Sequence, residues 1–245
     1  MIFFKRKNSV QRPDYGLLGA DMHSHLLPGI DDGSPDMETS IMLIKAMKDL
    51  GYKKLITTPH ILWDMYQNTS AVICEKLEEV RTKLREEQIE MEIHAAAEYF
   101  LDDHLTELLG RKEPLLSFGN RMVLVEFSMA SQPFDLKKNL FVMQIQGDQP
   151  VLAHPERYVY LEYNKNFYDE LKDAGCLFQM NVLSLTGYYG GAVLNLARYL
   201  VKNQYYDLIG TDLHHIGHLT ALRNPSQSSS LTQLFESEKI LNRTL

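Results

Sequence analysis

The stretch ADMHSHLLPGIDDGS, residues 20–34, places two histidines and three aspartates within fifteen residues. The apolar run before it, YGLLGADM, is typical of a strand that ends where the histidines begin. His23 and His25 are two residues apart, so on an extended backbone both imidazoles point to one face. Imidazoles on one face, with carboxylates a few residues on, are typical of a metal site. A polar loop with two surface histidines explains this segment alone equally well.

Seven short apolar runs alternate with amphipathic segments along the chain. The runs cover about 16–22, 54–58, 91–97, 122–127, 150–153, 177–182 and 206–210. Helices are predicted over about 34–51, 69–88, 133–147, 165–175, 191–204 and 230–242. Ser34 is the predicted N-cap of the first helix, with Pro35 at its first position. Strands that alternate with helices indicate an α/β protein with a parallel sheet, and we expect a closed or nearly closed seven-stranded barrel.

Polar side chains follow the ends of these runs. In α/β barrels the active site forms at the carboxyl ends of the strands. The residues at those ends are, in chain order, His23, His25, His60, Glu98, Glu126, His154, Asn181, Asp212 and His214. Six of the seven ends therefore carry a residue that can bind a metal, and Asn181 is the exception. Scattered surface histidines would not follow strand ends in this way, so the set predicts a metal cluster.

With Asp32, the set contains five histidines and four carboxylates, which is too many for a single ion. A mixed shell without thiolate suits Mn²⁺, Fe or Zn²⁺ better than Ca²⁺ or Mg²⁺ alone. At roughly three or four protein ligands for each ion, it would serve two or three metals that share carboxylates. Such clusters activate water and clamp the oxygens of a phosphate.

An arginine stands beside this set. Arg157, in AHPERY, follows His154 by three residues. Its guanidinium is suited to a bidentate contact with phosphate oxygens, whereas pairing with Glu156 or Glu162 on the rim is the alternative.

Four further histidines look less suited to chemistry. His94 lies inside the third predicted strand and His104 in a predicted surface helix. His215 and His218 follow the last strand and could support the ligands.

Composition narrows the classes of function. A net charge of −7 and a pI near 5.7 argue against a nucleic-acid backbone as the main partner, so a nuclease or proofreading role is disfavoured. Cys74 and Cys176 are far apart, and neither begins the C-x5-R loop of a cysteine-dependent phosphatase. Few cysteines fit a reducing compartment, and the start of the chain lacks the pattern of a signal peptide. No apolar run approaches the ~20 residues of a membrane span. We therefore expect a cytoplasmic protein without membrane insertion.

The motifs DMHSHLLPGIDDG, TTPH, AAEYF, LVEFS, LAHPERY and GTDLHH together resemble the polymerase-and-histidinol-phosphatase (PHP) superfamily. The likeness is greatest to its branch of bacterial metal-dependent protein-tyrosine phosphatases linked to capsule and exopolysaccharide synthesis. It runs from about residue 18 to 215. It implies a single domain over residues 1–245, a distorted (β/α)7 TIM-like barrel with a core of about 16–223 and peripheral ends at 1–15 and 224–245.

The resemblance also implies three metal ions, with manganese expected first and iron or zinc as alternatives. One ion would have the ligands His23, His25, Glu98 and Asp212. A second would share Glu98 and add Glu126 and His154. The third would take Asp32, His60 and His214. Arg157 matches the phosphate-contacting arginine of the branch, and His214 could assist the leaving group, so these two residues are the catalytic candidates.

The substrate implied is phosphotyrosine on a protein, a tyrosine kinase that controls polysaccharide synthesis and export. In this branch an arginine usually follows the D-x-H motif by a few residues, whereas here His215 and His218 stand there and Arg223 comes later. A phosphatase for a small metabolite, such as histidinol phosphate or a sugar phosphate, would use the same ligands. A non-catalytic regulatory barrel is the third hypothesis, although all nine ligand positions are filled.

Overall fold

Parallel strands form the centre of the fold in the computed structural model, which describes residues 13–223 and 228–245. The strands are β1 Ala20–Asp21, β2 Lys54–Thr57, β3 His60–Ile61, β4 Glu92–Ala95, β5 Glu98–Phe100, β6 Met122–Glu126, β7 Gln149–Ala153, β8 Leu177–Asn181 and β9 Leu208–Gly210. They pair in the orders β1-β2-β4 and β3-β5-β6-β7-β8-β9. The short strands β3 and β5 lie beyond the ends of the second and third predicted runs. Two residues outside any strand separate β2 from β3, and two separate β4 from β5.

Helices follow most of the strands. They are α1 Met37–Leu50, α2 Ser70–Glu86, α3 Asp103–Arg111, α4 Leu136–Ile145, α5 Asn166–Asp173, α6 Gly191–Lys202, α7 Ile216–Arg223 and α8 Ser228–Phe235. Short 3-10 helices cover Tyr15–Leu17, Pro155–Arg157, Val159–Tyr163, Val182–Thr186 and Leu241–Thr244. The last predicted helix, 230–242, is thus an α-helix followed by a separate 3-10 turn. Within the described ranges, none of the helices has the length and apolar character needed to cross a bilayer.

The start of the first helix differs from the prediction. The helix begins at Met37, and its N-cap is Asp36, whose carboxylate accepts the Thr39 N–H at 2.8 Å. Ser34 is buried in the preceding loop, where its N–H donates to the carbonyl of His25 at 3.1 Å. This bond holds the loop that contains Asp31 and Asp32 against the strand end, which explains why a residue type typical of N-caps stands two positions before the actual N-cap.

The sheet is curled, so its first and last strands approach each other. An isolated parallel bridge joins Ser24 to Leu213. The His25 N–H donates to the carbonyl of Leu213 at 2.9 Å, and the Asp212 N–H donates to the carbonyl of His23 at 2.7 Å. The predicted α/β class and parallel pairing are therefore confirmed, and the curl places the loops after β1 and β9 side by side.

Apolar side chains fill both faces of the sheet. A smaller buried cluster collects strand residues from around the curl, among them Met22, Ile56, Leu124, Val151 and Leu208. The larger cluster packs the other strand side chains against the helices. This packing is a continuous support for side chains that project from the carboxyl ends of the strands.

The C-terminal segment supports the opposite end of the strands. Leu231 and Phe235 are fully buried. The Asn242 amide donates to the carbonyl of Ala20 at 2.9 Å and accepts the Ile209 N–H at 2.9 Å. The segment thereby ties β1 to β9 away from the polar cluster.

Candidate active site

All nine predicted metal ligands meet at the carboxyl edge of the sheet. Their imidazole nitrogens and carboxylate oxygens fall into overlapping groups in which the atoms lie within 4.8 Å of one another. The groups are His25, Asp32, His60 and His214; His23, His154 and Asp212; His23, His25 and Glu98; and His60, Glu98 and Glu126. His60 and Glu98 lie beyond the ends of β2 and β4, as predicted, but they are also the first residues of the short strands β3 and β5. Residues from six positions around the curled sheet therefore converge on one place.

Glu98 lies at the centre of this cluster and is fully buried. Its Oε2 is 3.2 Å from His23 Nε2, 3.4 Å from His25 Nε2 and 3.2 Å from His60 Nδ1. Its Oε1 is 3.2 Å from His154 Nε2. Glu98 is therefore the one carboxylate that faces four of the five candidate histidines.

The other carboxylates face the same histidines from the sides. Asp212 Oδ1 is 3.3 Å from His23 Nε2, and Glu126 Oε1 is 3.0 Å from His60 Nδ1. Asp32 Oδ1 is 3.4 Å from Nε2 of both His60 and His214. His60 thus bridges two groups, since its two ring nitrogens face different carboxylates.

Atoms without hydrogen-bond partners test whether this cluster fits a metal. Both carboxylate oxygens of Glu98 and the Nδ1 of His60 are buried and make no hydrogen bond. Buried polar atoms normally have partners, and a bound cation would supply one for unpartnered atoms that converge in this way. Imidazole and carboxylate donors without thiolate suit a divalent transition metal. The residues present therefore fit a metal cluster.

The charges of the cluster also fit a bound metal. Burial raises the pKa of Glu98, but the positive charges of His23 and His60 lower it more, and the pKa ends well below the ordinary value. Burial lowers the pKa of His23, but Glu98 and Asp212 raise it more, to about 9. Glu98 is thus ionised, and its charge stabilises positive charge that a divalent cation can supply in place of protons.

Asp31 was missed by the sequence analysis, which assigned a role only to its neighbour Asp32. The buried carboxylate of Asp31 lies 2.8 Å from His25 Nδ1 and accepts the N–H groups of His60 at 3.1 Å and Gly33 at 2.9 Å. An Nδ1–H that donates to Asp31 leaves the Nε2 lone pair of His25 free for a metal. The two neighbouring aspartates therefore have different roles, because Asp31 orients a ligand and Asp32 faces the cavity.

Two amides in β8 orient other candidate ligands. Gln179 Oε1 lies 2.9 Å from His23 Nδ1 and accepts the His154 N–H at 3.2 Å. Asn181, the exception among the strand ends, donates from Nδ2 to Asp212 Oδ2 at 2.9 Å. The signal in the sequence is the run LFQMN, where two amides interrupt a strand that is otherwise apolar.

We predict that Asp31→Asn weakens metal binding while the fold persists. The amide removes the negative charge that favours the Nδ1–H tautomer of His25, and loss of such a partner lowers metal affinity by about 10–100-fold. Titration of the metal-free protein with Mn²⁺ measures this. Asp173→Asn, at an exposed position in α5, is the matched control and should bind as the parent does. Unchanged affinity in Asp31→Asn would contradict the orienting role.

Two candidate ligands have left-handed backbone. The φ angle is 32° at His154 and 52° at Asp212. L residues rarely adopt this conformation, although aspartate tolerates it better than most. Each residue stands where a strand ends and the chain turns, and Pro155 begins a 3-10 helix directly after His154. The turns direct both side chains into the cluster at a local cost in backbone energy.

Arg157 lies at the edge of the cluster. Its Nη1 is 2.9 Å from Asp212 Oδ2, and its guanidinium lies 4.9 Å from the ring centre of Tyr189. The carboxylate of Glu156 is buried elsewhere, where it accepts the Asn181 N–H at 2.9 Å. The ion pair of Arg157 is therefore with Asp212 rather than with Glu156 or Glu162. Its side chain remains 29% exposed, so the guanidinium can also reach a bound anion.

A cavity of about 400 Å³ opens above the cluster. Besides candidate ligands and Arg157, it is lined by Leu62, Met65, Tyr66, Phe100, Phe127, Met129, Tyr189, His215 and His218. Arg223 lines a different cavity, between α1 and α7. His215 and His218, not Arg223, thus stand in the cavity after the D-x-H motif.

The two remaining histidines lie outside this cavity. His94 is exposed and pairs with Glu92 at 2.8 Å. The ring of His104 stacks on Trp63 with 3.7 Å between ring centres. The expectation that both lie away from the chemistry agrees with this geometry.

Comparison with known proteins connects this geometry to a family. The model of the family described as capsular polysaccharide synthesis, CpsB/CapC, matches residues 19–236. Tyrosine-protein phosphatase CpsB of Streptococcus pneumoniae is 30% identical over 202 residues, which cover 80% of this chain and 83% of that protein. Tyrosine-protein phosphatase YwqE of Bacillus subtilis is 26% identical over 196 residues, which cover 80% and 77%.

A solved structure extends the similarity to three dimensions. It comes from crystal structures of YwqE and CpsB, described as unique metal-dependent tyrosine phosphatases. The TM-score is 0.78 at 26% identity, over 90% of this chain and 89% of that chain. These findings confirm the resemblance drawn from the motifs, and the chain belongs to the CpsB/CapC family of capsular polysaccharide synthesis.

Proposed function

We propose that this protein is a metal-dependent protein-tyrosine phosphatase, a hydrolase that acts in capsule and exopolysaccharide synthesis. The observation that carries the proposal is a buried imidazole and carboxylate cluster at the base of a cavity with apolar and aromatic walls. Among the described residues that line the cavity, Arg157 is the only lysine or arginine. One cation beside a metal cluster suits a phosphate monoester, and the apolar walls suit an aromatic ring.

We assign the cluster two or three divalent ions, with manganese first and iron or zinc as alternatives. One set of ligands is His23, His25, Glu98 and Asp212. A second is Glu98, Glu126 and His154. The third is Asp32, His60 and His214. When bound, such ions activate water and neutralise charge on phosphate oxygens.

The chain's own residues hold the substrate. Arg157 grips phosphate oxygens, and its contact with Asp212 and the face of Tyr189 fixes the guanidinium in the cavity. His214 Nδ1 donates to the carbonyl of Asp212 at 2.9 Å, which directs Nε2 toward Asp32. With Nδ1 bonded to this carbonyl and Nε2 available as a ligand, we assign His214 to ligation beside the leaving oxygen, and the imidazole donates no proton to that oxygen. A tyrosinate, with a pKa of ~10, needs less protonation than an alkoxide.

The substrate that we propose is a phosphotyrosyl protein, a tyrosine kinase associated with polysaccharide synthesis. The test compares kcat/KM for a phosphotyrosyl peptide with that for histidinol phosphate and a sugar phosphate, with the manganese-loaded protein. We expect the peptide to be preferred. A preference for a metabolite would support the small-metabolite phosphatase, and no hydrolysis of any of the three by the metal-loaded protein would support a regulatory barrel.

We further propose that the curled sheet is a distorted (β/α)7 barrel in one domain over residues 1–245. The expected core of about 16–223, with a peripheral end after it, is too short, because Leu231 and Phe235 are fully buried in the main core. The bridge between Ser24 and Leu213 supports closure. The added ends, 1–15 and 224–245, include residues 1–12 and 224–227, which lie outside the described residues. We also propose a cytoplasmic location, which the free thiols of Cys74 and Cys176 support.

The cysteines provide a prediction about mechanism. Cys176 is buried, burial raises the pKa of its thiol to about 12, and Cys74 is exposed on α2. Neither lines the cavity of the metal cluster. We expect Cys74→Ser and Cys176→Ser each to retain most of the parent's activity toward a phosphotyrosyl peptide. A phosphocysteine trapped on either residue and detected by mass spectrometry would overturn the metal mechanism.

A further inference from the structure

We propose that apolar side chains next to the phosphotyrosine of a protein substrate dock on the mouth of the cavity. The docking surface, called here the apolar rim, consists of Leu62, Met65, Tyr66, Met129 and Tyr188. The inference rests on the proposed function and specifies which peptides the same site prefers.

Three members of the apolar rim are exposed, and Leu62 and Tyr66 are half-buried. Met65 is 67% exposed, Tyr188 45% and Met129 39%. Met65 and Met129 line the cavity together with the candidate ligands. Tyr188 packs edge-on against Tyr189 and His218, which both line the cavity, with 5.0 Å and 5.4 Å between ring centres. Exposed apolar side chains grouped around a cavity are typical of an interaction surface.

The rim is held in shape by backbone hydrogen bonds in the loop after β3. Leu62 and Tyr66 form an antiparallel bridge, in which the Tyr66 N–H donates to the carbonyl of Leu62 at 2.7 Å. Met65 stands in the turn that this bridge closes. The Asn68 amide donates to the carbonyls of His60 and Ile30 at 2.8 Å and 2.9 Å. The side chain of Met65 is therefore presented from a fixed backbone that begins at a candidate ligand.

The loop after β6 is fixed in a similar way. The Ser128 carbonyl accepts the Tyr160 hydroxyl at 3.2 Å, and the Ser128 hydroxyl accepts the Ala130 N–H at 3.1 Å. Met129 stands between these bonds. Rigid backbone with flexible thioether side chains lowers the entropy cost of docking while it accommodates different apolar partners.

The position of the apolar rim indicates which part of a substrate would contact it. Phosphate reaches the metal cluster and Arg157 at the base, and the tyrosine ring lies between the apolar walls. The neighbouring residues of the peptide then leave the cavity across the rim, so the rim is continuous with the substrate site. Because its exposed members are apolar, contact with leucine or an aromatic side chain buries surface on both partners, whereas serine or glycine buries little.

The test compares two phosphotyrosyl peptides of equal length and charge, with leucine or with serine on both sides of the phosphotyrosine. 4-Nitrophenyl phosphate is the small substrate. We expect the manganese-loaded parent to prefer the leucine peptide about tenfold in kcat/KM, mainly through a lower KM. In the double variant Met65→Ser with Met129→Ser, the ratio of kcat/KM for the leucine peptide to that for 4-nitrophenyl phosphate should fall about tenfold.

Ile145→Ser is the matched control, because Ile145 is 69% exposed at the end of α4 and outside the cavity. This variant should keep the parent's ratio. Equal rates for the two peptides in the parent, or an unchanged ratio in the double variant, would overturn the apolar rim. Failure of the parent to hydrolyse phosphotyrosine at all would instead overturn the proposed function, so the two failures are distinguishable.

Discussion

Glu98→Gln is expected to abolish phosphatase activity, with a loss of about a thousandfold or more, and to deplete bound metal. Glu98 faces four histidines at 3.2–3.4 Å from a fully buried position. Glutamine keeps the volume but removes the negative charge that two proposed ions share, so several kcal/mol of transition-state stabilisation should be lost with the metal. Elemental analysis beside steady-state kinetics on a phosphotyrosyl peptide measures both effects.

Histidine variants supply the control for this loss. His154→Ala removes a proposed ligand and should lose metal and activity together. His94→Ala removes an exposed histidine outside the cavity and should retain both. Chelation of the parent should also abolish activity, with Mn²⁺ the best ion to restore it. Full activity in chelator, from protein with less than about one ion per chain, would refute metal catalysis.

Arg157→Ala is expected to lower kcat/KM by about 10–100-fold without loss of metal. Loss of a charge-assisted bidentate contact costs ~1.5–3 kcal/mol, and about 1.4 kcal/mol corresponds to tenfold. Metal content should persist because a guanidinium cannot bind a cation. Kinetics on a phosphotyrosyl peptide, with elemental analysis of the same protein, separates Arg157→Ala from His154→Ala.

The conservative variant sharpens this prediction. Arg157→Lys should recover only part of the activity, since an ammonium lacks the planar fork that binds two oxygens. Arg111→Ala is the matched control, because Arg111 is an exposed arginine on α3 outside the cavity. If Arg157→Ala were as active as the parent, Arg157 would be a charge at the cavity edge that does not contact the substrate, and the phosphate would lie elsewhere.

Much of the site could be predicted because strand periodicity is a local property of the sequence. The spacing of His23 and His25 fixes one face of an extended chain, and a parallel sheet brings all carboxyl ends to one edge. The converging positions of His60, Glu98 and His154 follow from those two facts. The same logic places polar residues at strand ends without knowledge of any contact.

Other features depend on tertiary contacts that no local pattern contains. Asp31 and Asp32 are adjacent and chemically identical, and only the turn closed at Gly33 decides which of them faces His25. Gln179 belongs to a strand that the sequence pattern identified only as an apolar run. Its hydrogen-bond partner His23 lies far away in the sequence. The late start of α1 has the same origin, because Ser34 bonds to His25 instead of capping the helix.

The left-handed turns at His154 and Asp212 have a consequence for how long the protein survives. Each turn raises the energy of the folded chain by roughly 1–2 kcal/mol, less for aspartate. Metal binding offsets this, by ~2.7 kcal/mol for a site at a hundredfold excess over its Kd. In metal-starved cells the metal-free form should therefore unfold locally near these turns and be degraded faster than the metal-bound form. Metal supply would then govern the abundance of the protein as well as its activity.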